Sequence, residues 1–442
     1  MTASLTPPPA LSILYGDLDR TRLSVCLDAQ CRRWTTLGNF PHLVDVPSRK
    51  GRKPVSIPDI TQFSVITRSL FGVGCKAPTD VYSCSAYNEL FLLRLEVPER
   101  SLLPRKVLAR VARDLKTRSD ISLESEVATM VYVRHHCPAI PVPTVYGYCP
   151  TRDNLIGQPF SIVSFTEGLD MDGVPWEDLP LQSKLVGVRD FANIVSQLSQ
   201  LHFKAIGSIY FKFGGDPQKQ TPVGFTLGPV SWCKQESAAR TEAFEHDRGP
   251  WKTTAQWLRA SVDDEIQFME KLPGLARETS TRKQGCERRW KVAQRVLPQF
   301  RDRIPDARDD PFDQCASGPF VLGHMDLNPW NMIFCPKGPN AGKIVSVIDW
   351  EMALTVPLWA LICYPRWFDC ANAFEPRKPS ETQHFKDTYI RELQKHAQES
   401  IILRVVQNAQ YEARRRFSEI AILPWELAEI MERWLEQNPR HA

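Results

Sequence analysis

The spacing of apolar residues changes character along the chain, from strand-like runs to helical periodicity near Gly168. Ile60–Phe71 sets Ile60, Phe63, Ile66 and Leu70 near helical steps. Two β-prone runs follow, Glu89–Val97 (ELFLLRLEV) and Lys106–Val111 (KVLARV), joined by the turn-like PERSLLP. Ser122 is placed to cap a helix running to His136, with Glu124 and Glu126 near its positive end. Pro138, Pro141 and Pro143 stop that helix, and Thr144–Cys149 and Pro159–Phe165 read as strands around the DNLIG turn. Beyond Gly168 the pattern is helical. Lys184–Lys204 spaces Leu185, Val188, Ala192, Val195, Leu198 and Leu201 by threes and fours. Ile206–Phe213 is a short β-prone segment, and 214–235 reads as a Gly-, Pro- and Gln-rich loop. Trp251–Met269, Cys286–Phe300, Gln383–Phe417 and Pro424–Gln437 read as helices. The expected organisation is a variable extension over 1–56, a small strand-rich lobe over 57–165 and a larger helical lobe over 166–442.

One stretch in the helical half departs from its surroundings. Phe320–Met352 (FVLGHMDLNPWNMIFCPKGPNAGKIVSVIDWEM) holds an apolar lead-in, a polar loop and two β-prone runs. Met332–Cys335 and Ile344–Ile348 pair as a hairpin across a Gly/Pro/Asn turn. The hairpin makes Asn331, just before its first strand, a neighbour of Asp349, just after its second. Asp326, five residues before Asn331, closes the third corner.

Two carboxylates and an amide oxygen are hard ligands that suit Mg²⁺, which keeps several waters and prefers carboxylate and phosphate oxygens. Phosphoryl transfer needs positioning, charge neutralisation and a base for the incoming hydroxyl. On this reading Asn331 and Asp349 hold the metal and Asp326 serves the acceptor hydroxyl. His324, set after an apolar strand, braces the loop. A metal-dependent hydrolase would want further His or carboxylate ligands, and none cluster here.

Composition narrows the partners. The chain has 442 residues, 43% hydrophobic and 24% charged, enough for two lobes around substantial cores. A net charge of +4 from 55 basic and 51 acidic residues gives no reason to expect nucleic acid as a partner. The 12 cysteines form no CxxC pair, which points to reduced thiols and a cytoplasmic protein. The first residues lack the basic and apolar regions of a signal peptide. The most apolar run, Met352–Tyr364, holds Pro357 and falls short of the ~20 residues a membrane span needs. The basic Ser48–Pro54 reads as an exposed linker.

The string HMDLNPWN…VIDWE resembles the signature of the aminoglycoside phosphotransferase and choline kinase-like family, in particular its fungal-type members. More distant stretches fit as well: YNELFLLRLE, VLARVARD, SEVATMVYVRHH, IPVPTVYGY, DNLIGQPFSIVSFTEG, LSQLHFKAIGSIYF and RGPW. The resemblance covers roughly residues 57–370. It implies an α+β, bilobal, protein-kinase-like fold, with an antiparallel sheet and one helix in the small lobe and a mostly helical large lobe. ATP and Mg²⁺ are then the implied cofactors, and a small-molecule hydroxyl the acceptor. Asp326 resembles the family's catalytic base, with His324 beside it in the catalytic loop, and Asn331 and Asp349 its metal ligands. Arg110 stands where the family has a Lys or Arg facing the nucleotide phosphates, and Glu126 resembles its ion-pair partner. Ser164–Gly168, with Phe165, resembles the hinge that meets adenine.

Departures from the pattern matter too. The nucleotide-covering loop, Ser83–Asn88, has no glycine, so Ser83 or Ser85 would have to substitute. The connection from ELFLLRL to VLARV is longer than a tight hairpin. A catalytically weak or inactive kinase-like scaffold is the alternative. Met325 and Asn328 replace the Arg and Lys that protein kinases carry around the catalytic Asp, which disfavours a protein substrate. Glu351 sits beside the site. Trp330, Trp350, Trp359 and Trp367 could line a pocket, although at least three of them read as core.

Overall fold

The structure is a computed structural model, and it describes residues 58–84, 87–113, 120–150, 152, 154–168, 176–213, 222–231, 245–273, 286–304, 320–370, 376–395, 405–408, 411, 413–415, 417–418 and 428–437. Its first elements are helix α1 (Phe63–Phe71) and strands β1 (Cys75–Lys76), β2 (Ser83–Cys84), β3 (Asn88–Leu95) and β4 (Lys106–Ala112). Helix α2 (Asp120–His136) and strands β5 (Val145–Cys149) and β6 (Phe160–Ser164) follow. Next come α3 (Leu181–Leu198), β7 (His202–Phe203), β8 (Ser208–Phe213), β9 (Pro222–Gly228), α4 (Thr254–Lys271) and α5 (Cys286–Arg301). The chain continues through β10 (Phe320–Gly323), β11 (Met332–Phe334), β12 (Ile344–Val347), β13 (Leu354–Pro357) and the short α6 (Leu358–Leu361). Helices α7 (Pro379–Leu393) and α8 (Ala428–Gln437) complete the described elements. The fold class is α+β, as the sequence led us to expect.

Two compact units divide the chain. The first comprises residues 1–175, 209–233 and 329–352; the second comprises 176–208, 234–328 and 353–442. In the first unit an antiparallel sheet runs β1-β3-β4-β6-β5, with β2 also on β3. Its β3–β4 register pairs Leu90 with Arg110 and Leu92 with Leu108, and β6 adds Ser161 and Val163 at the same two levels. Side chains alternate along a strand. Val107, Ala109 and Val111 are therefore buried, while Lys106, Leu108 and Arg110 share the less buried face. The β11–β12 hairpin belongs to the same unit, and Val347 donates its backbone N–H to the Pro141 carbonyl at 2.7 Å. Gly168 allows the segment after β6 to lie against it. A Cβ there would meet Ile333 Cγ2 at 2.4 Å and the Phe334 carbonyl oxygen at 2.9 Å.

In the second unit β10 is the centre of a three-stranded sheet, β13-β10-β7. All four of its residues are buried, which anchors the loop that follows. Helices α3 and α7 pack together, as do α5 and α8. Phe191, Trp367, Phe368, Phe385 and Tyr389 form an edge-to-face aromatic core between the first pair.

Several element boundaries correct the sequence reading. Helix α2 begins at Asp120, so Ser122 lies inside the first turn and is not its cap. The helix expected over Lys184–Lys204 runs from Leu181 to Leu198. His202 and Phe203 leave the helical pattern because they pair with Val321 and Phe320. The expected loop 214–235 contains strand β9, which pairs with β8 and sets Phe225 against Tyr132 and Phe211. Its Gly228 lies where a Cβ would come within 2.6 Å of the Tyr210 ring, so the glycine that hid the strand is what allows its close approach. Helix α7 starts at Pro379 and ends at Leu393, short of the single helix expected over Gln383–Phe417. The reading of 1–56 as an extension lies outside the described residues, as does Ser85.

Candidate active site

Arg110 is the centre of the site in the first unit. Strand alternation turns it onto the sheet face shared by Lys106 and Leu108, and its side chain is only 12% exposed. A nearly buried guanidinium needs carboxylate partners. Nη1 donates to Glu126 on α2, and Nη2 donates to Asp349 Oδ1 at 3.0 Å. Burial by itself would lower the guanidinium pKa, but the charges of Glu126, Asp349 and Glu351 outweigh it and push the value above the ordinary one. Helix α2 packs on the turn Trp350–Met352, which is what brings Glu126 and the residue preceding that turn to one guanidinium.

Asp349 does not point into the core: its side chain keeps 31% of its surface exposed. Its backbone lies in the left-handed region, φ 66°, which Asp tolerates better than most residues. The hairpin delivers Asn331 next to this bend. Ile348 donates its backbone N–H to the Asn331 carbonyl at 3.0 Å, so the two ends of the hairpin are tied one residue before Asp349. Asn331 ends the turn Pro329–Asn331 and is buried, at 9% exposure. Trp350 is core, its Nε1 donating to the Val347 carbonyl at 3.0 Å. Trp359 and Trp367 are core as well, whereas Trp330 is exposed.

Asp326 and His324 belong to the second unit. His324 is buried at the end of β10, and Met325 after it takes φ 65°. For a long side chain this backbone costs on the order of 1–3 kcal/mol and persists only where the surroundings hold it. Asp326, on the exposed loop, accepts a hydrogen bond from Asn328 Nδ2 at 2.7 Å through Oδ1.

Phe165 stands at the opposite end of the β4 face from Arg110. Tyr82 meets it edge-on at 5.8 Å between centroids, and the Lys106 ammonium lies 5.4 Å from its ring centre. Lys106 also pairs with Glu167 at 2.6 Å. Sequence reasoning missed Tyr82, Lys106 and Glu167. Counting back from Arg110 in steps of two would have reached Lys106.

Of the eight expected site residues, the structure brings Arg110, Glu126 and Asp349 into direct contact. It ties Asn331 to the residue preceding Asp349, sets Phe165 apart on the same sheet, and carries Asp326 and His324 in the other unit. Among the described residues no group of three or more His, Cys, Asp and Glu is arranged to hold a metal on its own. Mg²⁺ takes one or two carboxylates and completes its shell with water and phosphate oxygens, and Asp349 is a half-exposed carboxylate whose hairpin partner is Asn331. Two carboxylates, Glu126 and Asp349, contact Arg110, and the charge of a third, Glu351, also acts on it. The donor set fits a hard divalent cation.

Residues 99–360 match the phosphotransferase enzyme family known as APH, and the chain belongs to that family. Among curated proteins, a subtelomeric hrmA-associated cluster protein of Aspergillus fumigatus is 26% identical over 311 residues, 63% of this chain and 58% of that protein. The mitochondrial protein "altered inheritance of mitochondria protein 9" of Zygosaccharomyces rouxii is 33% identical over 152 residues, 29% of this chain and 24% of that one. The chain thus spans about three fifths of the first relative's length and about a quarter of the second's. Among solved structures, an aminoglycoside phosphotransferase in ternary complex with streptomycin and ATP is 12% identical, with a TM-score of 0.42 over 85% of this chain and 90% of that one. Another, solved with ADP, is also 12% identical, with a TM-score of 0.42 over 86% and 93%.

Proposed function

We propose that the protein transfers the γ-phosphate of ATP to a hydroxyl of a small molecule. The observation that carries this reading is the Arg110–Glu126–Asp349 constellation, in which one buried cation is shared between a helix acid and the acid that closes the hairpin. Membership of the phosphotransferase family supports the same chemistry. So does the β4 face: from Lys106 to Arg110 is four residues, about 13 Å along a strand. That length suits a nucleotide whose base lies near Phe165, crosses Leu108, and ends with its phosphates at Arg110.

In this mechanism Arg110 grips phosphate oxygens through its planar fork, and Glu126 holds the guanidinium in place. Asn331 and Asp349 would hold Mg²⁺, which when bound neutralises charge on the phosphate oxygens. Asp326 orients the acceptor hydroxyl and takes its proton, with Asn328 fixing the carboxylate through Oδ1. His324, buried behind the loop, braces it. The strain at Met325 belongs to the same device, since it holds Asp326 out from a fully buried strand.

The second reading, a kinase-like scaffold with weak or no catalysis, is favoured by the absence of glycine from Ser83–Asn88. One experiment separates the two. Purified protein is incubated with γ-labelled ATP, Mg²⁺ and a metabolite extract, beside Asp326→Asn. Label entering a small molecule with the wild type, and falling by 10²–10⁴-fold in the variant, supports the enzyme. No transfer by the wild type to any metabolite would leave the scaffold.

A further inference from the structure

Arg110 and a metal ion would draw on the same carboxylate, that of Asp349. The guanidinium Nη2 lies 3.0 Å from Asp349 Oδ1, so without nucleotide it covers part of the carboxylate that the proposed function assigns to Mg²⁺. A divalent ion binds a carboxylate oxygen at about 2.1 Å, which would put it within about 5 Å of that nitrogen. Two cations so close beside a nearly buried guanidinium repel each other. One of them has to give way, or a new anion has to come between them.

The side chain at position 110 makes this competition possible. A Lys ammonium is a compact point charge on a flexible stem, whereas guanidinium is a rigid fork with donors on two nitrogens. Here one prong holds Glu126 and the other holds Asp349, and both contacts are made at once. Glu126 is 1% exposed at its side chain and stays with Arg110 in either state, so it acts as the pivot. The charges also favour a stand-in. Arg110 is the cation paired with Asp349, and the charges of Glu126 and Glu351 add to the negative field around it.

We infer that Arg110 is an interlock: it occupies Asp349 until nucleotide phosphates arrive, then moves one prong to the phosphates and releases Asp349 for the metal. Metal alone therefore binds poorly, and nucleotide opens the metal site. Linkage requires the converse, that metal raises nucleotide affinity by the same factor. The inference rests on the reading of Asp349 as a metal ligand, and it adds an order of assembly to that reading.

Mn²⁺ serves as the probe, its binding read by water-proton relaxation on the full chain. Without nucleotide, Arg110→Lys binds Mn²⁺ about tenfold tighter than wild type, a coupling of ordinary size, because an ammonium cannot span both acids. Glu126→Gln moves the other way and binds Mn²⁺ severalfold more weakly, since the guanidinium is then left to Asp349. A purely structural salt bridge would lower stability in both variants and leave their Mn²⁺ affinities equal to that of wild type. That outcome, or shifts of the same sign in both variants, overturns the interlock. Binding of Mn²⁺ in the presence of a non-hydrolysable ATP analogue isolates the two ideas. If the wild type binds Mn²⁺ there but the variants match it without nucleotide, the interlock alone fails. If Mn²⁺ is not bound even with the analogue, the metal reading of Asp349 falls and the interlock with it.

Discussion

Among the described residues, two ion networks, one in each unit, are balanced differently. In the second unit Lys184 and Arg377 face Glu177 and Glu381, two cations to two acids, with contacts of 2.6–3.3 Å. Arg377 also donates to the carbonyls of Trp367 and Cys370 and lies over the Phe385 ring. Every charge there has its counter-charge within the chain. In the first unit Arg110 pairs with two acids, Glu126 and Asp349, and feels the charge of a third, Glu351; the more exposed partner, Asp349, sits on a left-handed backbone. A network that closes on itself serves the fold. The Arg110 network instead includes an acid that is 31% exposed, Asp349, which the proposed function assigns to the metal.

The comparison can be broken in three places. The largest effect is expected for Asp349→Asn. Transfer activity should fall by roughly 10³-fold, while the thermal midpoint drops far less than in a core variant, because Glu126 stays paired with Arg110 and the Asn amide oxygen can still accept from it. A loss of stability there as large as that of a core variant would erase the distinction between the two networks. Arg377→Met is the counterpart. It strands Glu177 and Glu381 with Lys184 alone, and breaking a buried pair costs about 3–5 kcal/mol, readable as a lower urea midpoint. Activity per folded molecule should be retained.

The smallest effect concerns acid. Burial would raise the pKa of Glu381, but its hydrogen bond from Lys184 and the charges of Lys184 and Arg377 bring it below its ordinary 4.5. The stabilisation it contributes is therefore complete above that value and is lost as pH falls beneath it. Urea midpoints taken at about pH 5 and about pH 3 should differ less in Arg377→Met than in wild type. An equal difference would remove Glu381 from the account.

What could be read from the chain itself was local. The β11–β12 hairpin, the paired runs β3 and β4, and helix α5 follow from patterns within a few residues, and all three stand where expected. Two of the errors share a cause: contacts made far along the chain. His202 and Phe203 looked like the end of a helix until β10 claimed them, 117 residues on or more. Strand β13, with its Leu354–Pro357 run, was absorbed into an apolar stretch because its partner is β10. The site divides the same way. The hairpin implied that Asn331 and Asp349 were neighbours, but Arg110 meets Asp349 across 239 residues, and only family resemblance pointed to it. Tyr82 against Phe165 was not foreseen at all, because no spacing rule joins a loop residue to the end of a distant strand.

The left-handed bend at Asp349 has a consequence for how such a protein can lose its chemistry. Glycine adopts that backbone without strain, so Asp349→Gly would relieve the bend, and Arg110 would still hold Glu126. The chain would keep its shape and lose its acid in one step. With Glu126 still paired to Arg110, folding depends on the aspartate at 349 less than the chemistry does. Among related chains, the residue at this single bend would separate those that still work on phosphate from those that have kept only the scaffold.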